Sequence, residues 1–197
     1  MAAEEQNRED VKAEREQWRG DSKTLDAKRL VFVDETGAKT NMTRRYGRAP
    51  VGKRVHDFAP AGHWSTTTLI SAVREGGPVA PLLIEGATDA DVITAWVEQG
   101  LAPTLNKGDI VVMDNLSSHK CKAVGELIAA RGATLLYLPP YSPDLNPIEK
   151  MWSKIKALLR RAKARTLDDL TQAVADALSA VTLSDIQGWF GSCGYVI

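Results

Sequence analysis

Residues 109–150 read DIVVMDNLSSHKCKAVGELIAARGATLLYLPPYSPDLNPIEK, and their pattern decides the fold. Ile110-Val111-Val112-Met113 is an unbroken apolar run of strand length, as expected of a strand buried on both faces. A helical stretch from about residue 119 to 131 follows and is ended by Gly132, after which residues 133–138 read as a second strand. A proline loop then leads into a helix from about residue 147. Pro147 suits its first position, which needs no backbone N–H, and Asn146 suits its cap. Strands alternating with helices in this way favour a parallel pair.

Working upstream, Leu30-Val31-Phe32-Val33 marks a buried strand over residues 29–35, and Gly37 begins a loop rich in Gly, Pro and basic residues that runs to about Gly62. Thr66 to Val73 and Val79 to Ile84 read as two further strands. Residues 74–78, with paired glycines and a proline, suit a hairpin, so the first three strands form an antiparallel meander. Asp89 and Asp91 then open a helix whose apolar positions Val92, Ile93, Trp96, Val97 and Leu101 recur at helical spacing. Downstream, Leu167 to Val181 forms an amphipathic helix and Ser184 to Phe190 a short last one. By analogy of fold, this order describes the α/β ribonuclease H-like architecture. That fold is a five-stranded mixed sheet, three antiparallel strands then two parallel, flanked by helices. The expected organisation is an N-terminal helix or linker over residues 1–28, a catalytic domain over 29–165, and C-terminal helices packed on it over 166–197.

A chain of 197 residues with 44% hydrophobic content can bury one substantial core. Lys plus Arg equals Asp plus Glu at 25 each, so net charge alone argues for neither a nucleic-acid nor a membrane partner. No apolar run approaches the roughly 20 residues of a membrane helix, so no membrane partner is expected. Cys121 and Cys193 are far apart and no signal-like stretch opens the chain, which points to a reduced, cytoplasmic compartment.

Three carboxylates stand where the pattern changes: Asp34 and Asp114 end apolar runs, and Glu149 lies in the first turn of the helix beginning near Pro147. Taken singly, each has an ordinary explanation, a turn cap or a complement to the helix dipole. In a sheet of this topology, however, the first and fourth strands are neighbours, so Asp34 stands beside Asp114 and Glu149 completes the trio. Clustered carboxylates repel and raise one another's pKa unless a cation neutralises them, and hard oxygen ligands select Mg²⁺ or Mn²⁺. Two such ions can activate a water or 3′-hydroxyl and stabilise the leaving oxygen of a phosphoryl transfer.

The same residues carry a family resemblance. Residues 33–36 (VDET), 113–119 (MDNLSSH) and 138–149 (LPPYSPDLNPIE) resemble the three acidic motifs of DDE transposases, most narrowly the bacterial insertion sequence 630 family, kin to mariner-type elements. The third motif is long and specific, and residues 41–44 and 46–50 extend the resemblance through the first loop. It implies that Asp34, Asp114 and Glu149 are catalytic metal ligands. It also implies Mg²⁺-dependent cleavage at transposon ends, followed by strand transfer of the freed 3′-hydroxyl into target DNA. The expected partners are transposon-end and target DNA, with a homodimer because two ends must be held together, in a bacterial cytoplasm and on the nucleoid when bound to DNA. Family members normally carry an N-terminal helix-turn-helix region that 28 residues cannot hold. End recognition is therefore expected from a separate protein or an upstream reading frame. Two rival readings are a metal-dependent nuclease without strand transfer, and an idle remnant or dimerising DNA-binding module.

Helical spacing from Glu149 reaches Lys156, Arg160 and Lys163, and residues 150–165 hold seven basic residues and no acidic one. A phosphate backbone suits that face. A second basic group, Arg44, Arg45, Arg48, Lys53 and Arg54, sits in the loop after the first strand, where it could grip DNA near the site; a solvated surface is the ordinary explanation for both groups. Asn115, His119 and Asn146 are candidate supporting residues, and Tyr141 is a candidate for stacking on a base. No GxxxxGK[ST] phosphate loop occurs, which removes nucleotide hydrolysis, and no Ser or Cys has a visible partner arrangement for nucleophilic catalysis.

Overall fold

Leu30–Lys39 forms the central strand β1, which pairs antiparallel with β2 (Thr66–Arg74) on one side and parallel with β4 (Ile110–Met113) on the other. The structure, a computed structural model, describes residues 4–58, 60, 66–115 and 121–196. β3 (Gly77–Glu85) pairs antiparallel with β2, and β5 (Thr134–Tyr137) pairs parallel with β4, giving the sheet order β3-β2-β1-β4-β5. This is the expected five-stranded mixed sheet. β1 is longer than its apolar run predicts. Gly37 lies within the strand opposite Thr68, because pairing to β2 continues to Lys39↔Thr66 and keeps Thr36 and Ala38 on a buried face.

The side-chain alternation of the central strands builds two apolar layers. Leu30 and Phe32 of β1, Leu69 and Val73 of β2 and Val112 of β4 face α4 (Pro147–Ala162), α5 (Leu167–Ser179) and α6 (Leu183–Ser192). Val31, Val33, Ile70, Ala72, Val111 and Met113 face α2 (Ala90–Trp96), the π-helical turn Val97–Leu101 that continues it, and α3 (Lys122–Ala130). On α4 the stripe Ile148, Trp152, Ile155 and Leu159 is buried, and Met151 joins it. Burying a Phe- or Leu-sized side chain contributes about 1.5–3 kcal/mol, so this stripe is what seats α4 on the sheet. Phe32, Phe190 and Tyr195 meet at ring-centroid distances of 5.4, 4.9 and 6.1 Å and fasten α6 to β1.

α1 (Glu9–Asp21), expected as an exposed helix or linker, docks one side on the domain. Val11 and Arg15 are buried, and the Trp18 indole N–H donates to the Tyr195 hydroxyl at 3.0 Å, which in turn donates to the Leu145 carbonyl at 2.8 Å. At the opposite edge of the sheet, β3 carries Pro78 and Pro81, and Ala80 between them has φ +50°. The Ala80 carbonyl accepts from the Trp96 indole at 2.8 Å. Among the described residues no helix is long and apolar enough to cross a membrane.

Candidate active site

Asp34 continues the Leu30, Phe32 side of β1, so its carboxylate points toward α4, where it accepts a hydrogen bond from the Trp152 indole N–H at 3.1 Å. Asp114 follows the last residue of β4, two positions beyond the pair Phe32↔Val112. It therefore leaves its strand beside Asp34. Glu149 lies in the first turn of α4, one helical turn before Trp152 and on the same side. The carboxyl ends of two parallel strands and the start of one helix thus bring the three acids together. Trp152 reads from sequence as a core residue only; its three-residue spacing from Glu149 was the available sign that it borders the site.

The electrostatics record this proximity. Asp34 is pushed up to about 8, first by burial and then by the negative charges of Glu149, Glu35 and Asp114. Glu149 keeps contact with solvent, yet partial desolvation raises it above the ordinary glutamate value, with Lys156 lowering and Asp114 raising it further. Among the described residues no three Asp, Glu, His or Cys side chains are grouped closely enough to hold a metal ion as they stand. The chemistry of the donors nonetheless suits a hard divalent cation: they are carboxylate oxygens, and the Asp34 carboxyl, raised to about 8 by burial and then by its acidic neighbours, sits in a negative field that such a cation relieves.

Asp114, Asn115 and Glu149 line an open cleft of about 550 Å³, walled by residues 138–143. The wall begins beside Asp114 because the Leu138 N–H donates to the Met113 carbonyl at 2.8 Å, extending the β4–β5 pairing by one bond. Tyr141 in this wall has φ +54° with its side chain exposed, a left-handed backbone that costs a non-glycine residue about 1–2 kcal/mol. Its carbonyl accepts from Gln6 Nε2 at 2.6 Å and from Arg15 Nη1 at 3.3 Å. Arg15 also donates to Ser142 Oγ at 2.7 Å and to both carboxylate oxygens of Asp144 at 3.0 and 2.7 Å. Burial would raise the Asp144 carboxyl, but Arg15 outweighs it and holds the group below its ordinary value. Arg15 was missed from sequence because its partners lie more than a hundred residues away. Asn146 occupies the expected cap position, but its side chain makes no cap hydrogen bond; Oδ1 is buried with no partner among the described residues.

The two basic groups, distant in sequence, meet in space. Arg165 Nη1 donates to the Thr40 and Met42 carbonyls at 3.0 and 3.1 Å, tying the start of the loop after β1 to the end of α4. Lys163, at the C-terminal cap of α4, pairs with Asp57 of that loop at 2.7 Å. Arg160 is lowered first by burial and then by the neighbouring positive charge of Arg45. Arg44 stands close enough to lower Asp57, and Arg48, Lys53 and Arg54 are exposed on the same loop. Lys156 acts on Glu149 from the same helix. His119 lies outside the described residues.

A family model described as DDE superfamily endonuclease matches residues 29–171. The Tcb2 transposase of Caenorhabditis briggsae is 27% identical over 168 residues, 79% of this chain and 61% of that protein. The Tc1 transposase of Caenorhabditis elegans is 30% identical over 82 residues, 42% of this chain and 30% of that protein. Among solved structures, a pre-cleavage Mos1 transpososome matches with TM-score 0.77 and 15% identity, covering 98% of this chain and 61% of that one. The catalytic domain of Mos1 mariner transposase matches with TM-score 0.70 and 16% identity, covering 98% and 91%. The chain thus spans about three-fifths of the length of the Tcb2 protein. At identities of 15–16% the likeness to the solved structures establishes the ribonuclease H-like fold.

Proposed function

The chain belongs to the DDE superfamily endonucleases, and on that premise we propose that it is a transposase catalytic unit that cuts DNA at transposon ends and transfers the freed 3′-hydroxyl into target DNA. The observation that carries this reading is the approach of Asp34, Asp114 and Glu149 at one end of the sheet, the last two lining an open cleft, with the helix of Glu149 continuing into a basic surface. Residues 29–165 are assigned the chemistry, and the helices of residues 166–197 hold α4 against the sheet. The finer placement, in the bacterial insertion sequence 630 branch, rests on the motif at residues 138–149; the Tcb2 and Tc1 relatives come from nematode elements.

Asp34, Asp114 and Glu149 would hold Mg²⁺ or Mn²⁺, as expected for two ions. When bound, such ions lower the pKa of an attacking water or hydroxyl and neutralise charge on the leaving oxygen. The chain's own residues supply placement. Trp152 fixes the orientation of Asp34 through its indole N–H, so the carboxylate presents its remaining lone pairs away from α4. Lys156 partly offsets the negative charge at Glu149. Arg44, Arg45 and Arg160 offer guanidinium groups to the DNA backbone, and Tyr141 offers an exposed ring at the cleft wall. A homodimer follows from the need to hold two ends at once.

The test is supercoiled-plasmid nicking and joining of precut ends in Mg²⁺, comparing the protein with Asp114→Asn. Nicking and joining that both disappear on substitution are expected, with a loss of at least about a hundredfold for removal of a ligand. Nicking without joining would replace the reading with a nuclease. DNA binding without either reaction would replace it with a DNA-binding module.

A further inference from the structure

We infer that Arg15 of α1 is a positioning residue for the active site, holding the loop Tyr141–Asp144 in the one conformation that presents the Tyr141 ring at the catalytic cleft. The inference rests on the proposed DNA-cleaving reading for its purpose, but its structural content stands on separate observations. Arg15 is a long cation with only 7% of its surface exposed, and its described hydrogen bonds all end on this loop, at the Tyr141 carbonyl, Ser142 Oγ and the Asp144 carboxylate. A helix seated by apolar contact alone would avoid the desolvation that burying a guanidinium entails. The bidentate fork, by contrast, fixes both distance and angle.

The loop needs an outside hold. Pro139, Pro140, Pro143 and Pro147 carry no N–H, so the segment has few donors with which to brace itself. Tyr141 sits in a left-handed backbone that a bulky residue leaves unless its surroundings over-determine it. The two donors on its carbonyl, Gln6 and Arg15, come from the N-terminal segment, and Ser142 Oγ relays the contact by donating to the Pro140 carbonyl at 3.0 Å. The same loop walls the cleft of Asp114 and Glu149 and runs directly into the first turn of α4. Loss of the clamp would therefore let Tyr141 relax away from the cleft without removing any acid. The ring so placed is a stacking platform for a base flanking the scissile phosphate.

The experiment compares wild type, Arg15→Met and Arg15→Lys by amide hydrogen exchange over residues 138–146 and by steady-state nicking of an oligonucleotide duplex in Mg²⁺. Arg15→Met is expected to speed exchange in that peptide while β1 and β2 stay protected. It should lower kcat about tenfold or more with KM changed less than about twofold, as a misplaced positioning group does. Arg15→Lys, which keeps the charge and N–H donors but not the planar fork, should fall between. A 2-aminopurine next to the cleavage site, read in Ca²⁺, should lose its stacking quench in Arg15→Met. Unchanged loop exchange in Arg15→Met overturns the inference, as does unchanged kcat in a nicking-competent enzyme. If wild type does not nick, the proposed function fails while loop exchange still decides the clamp. If Arg15→Met does not fold, Asp144→Asn combined with Gln6→Ala removes the charged fork and one of the two donors on the Tyr141 carbonyl while leaving Arg15 in place; faster loop exchange, smaller than for a full loss of the clamp, is then expected, and unchanged exchange overturns the inference.

Discussion

The fold strongly alters the chemistry of the Asp34 carboxyl, which stands at about 8 against an ordinary 3.8. A folded-state value above the unfolded one means that folding favours the protonated acid. The resulting cost is absent below about pH 4, grows as pH rises, and levels off above about pH 8. Asp34→Asn removes it and keeps a carbonyl oxygen to accept from Trp152. In chelator, thermal melts of Asp34→Asn should therefore exceed wild type by several degrees at pH 8, corresponding to a few kcal/mol, with the gap closing near pH 4. A gap independent of pH would show that the Asp34 environment is not as charged as its neighbours imply. This residue was legible in the sequence because it ends an apolar run. Trp152 and Arg15 were not, since what each does depends on partners that no local pattern names.

Among the elements, α4 matters most because it carries Glu149 at one end and basic residues at the other, and α6 holds it down. α6 begins with a capping box: Thr182 Oγ1 accepts from the Asp185 N–H at 3.2 Å and Asp185 accepts from the Thr182 N–H at 2.8 Å. Asp185 also pairs with Lys154 of α4 and is held down to about 2, chiefly by that lysine. A depressed carboxyl contributes stability that is present above its ordinary value of 3.8 and lost as pH falls toward 2. Urea unfolding of Asp185→Asn should thus show destabilisation at pH 7 that shrinks through this window. Thr182→Ala should cost about 1 kcal/mol at pH 7. Equal stability of Asp185→Asn and wild type at pH 7 would remove the Lys154–Asp185 pair from the account of how α4 is held, leaving the apolar contacts of α6 to hold it. Most elements were legible because period 2 and period 3.6 are written in the apolar positions. The end of β1 was not, because Gly37 and Lys39 look like loop and only the ladder to β2 keeps them extended.

At the scale of the molecule, a net charge of +0 hides a segregated surface: Arg45 of the loop and Arg160 of α4 crowd together although they are far apart in sequence. If that surface grips phosphates, replacing both by Gln should flatten the log–log salt dependence of DNA affinity by about 2. An unchanged slope would assign them to solvent. The sequence showed both basic groups but not their meeting, which depends on Arg165 tying the loop to α4. The outer edge of β3 has a consequence of another kind. Pro81 offers no N–H and the neighbouring Ala80 carbonyl is already taken by Trp96, so an approaching extended chain meets an interrupted ladder there. That edge is thereby a poor template for amyloid-type growth.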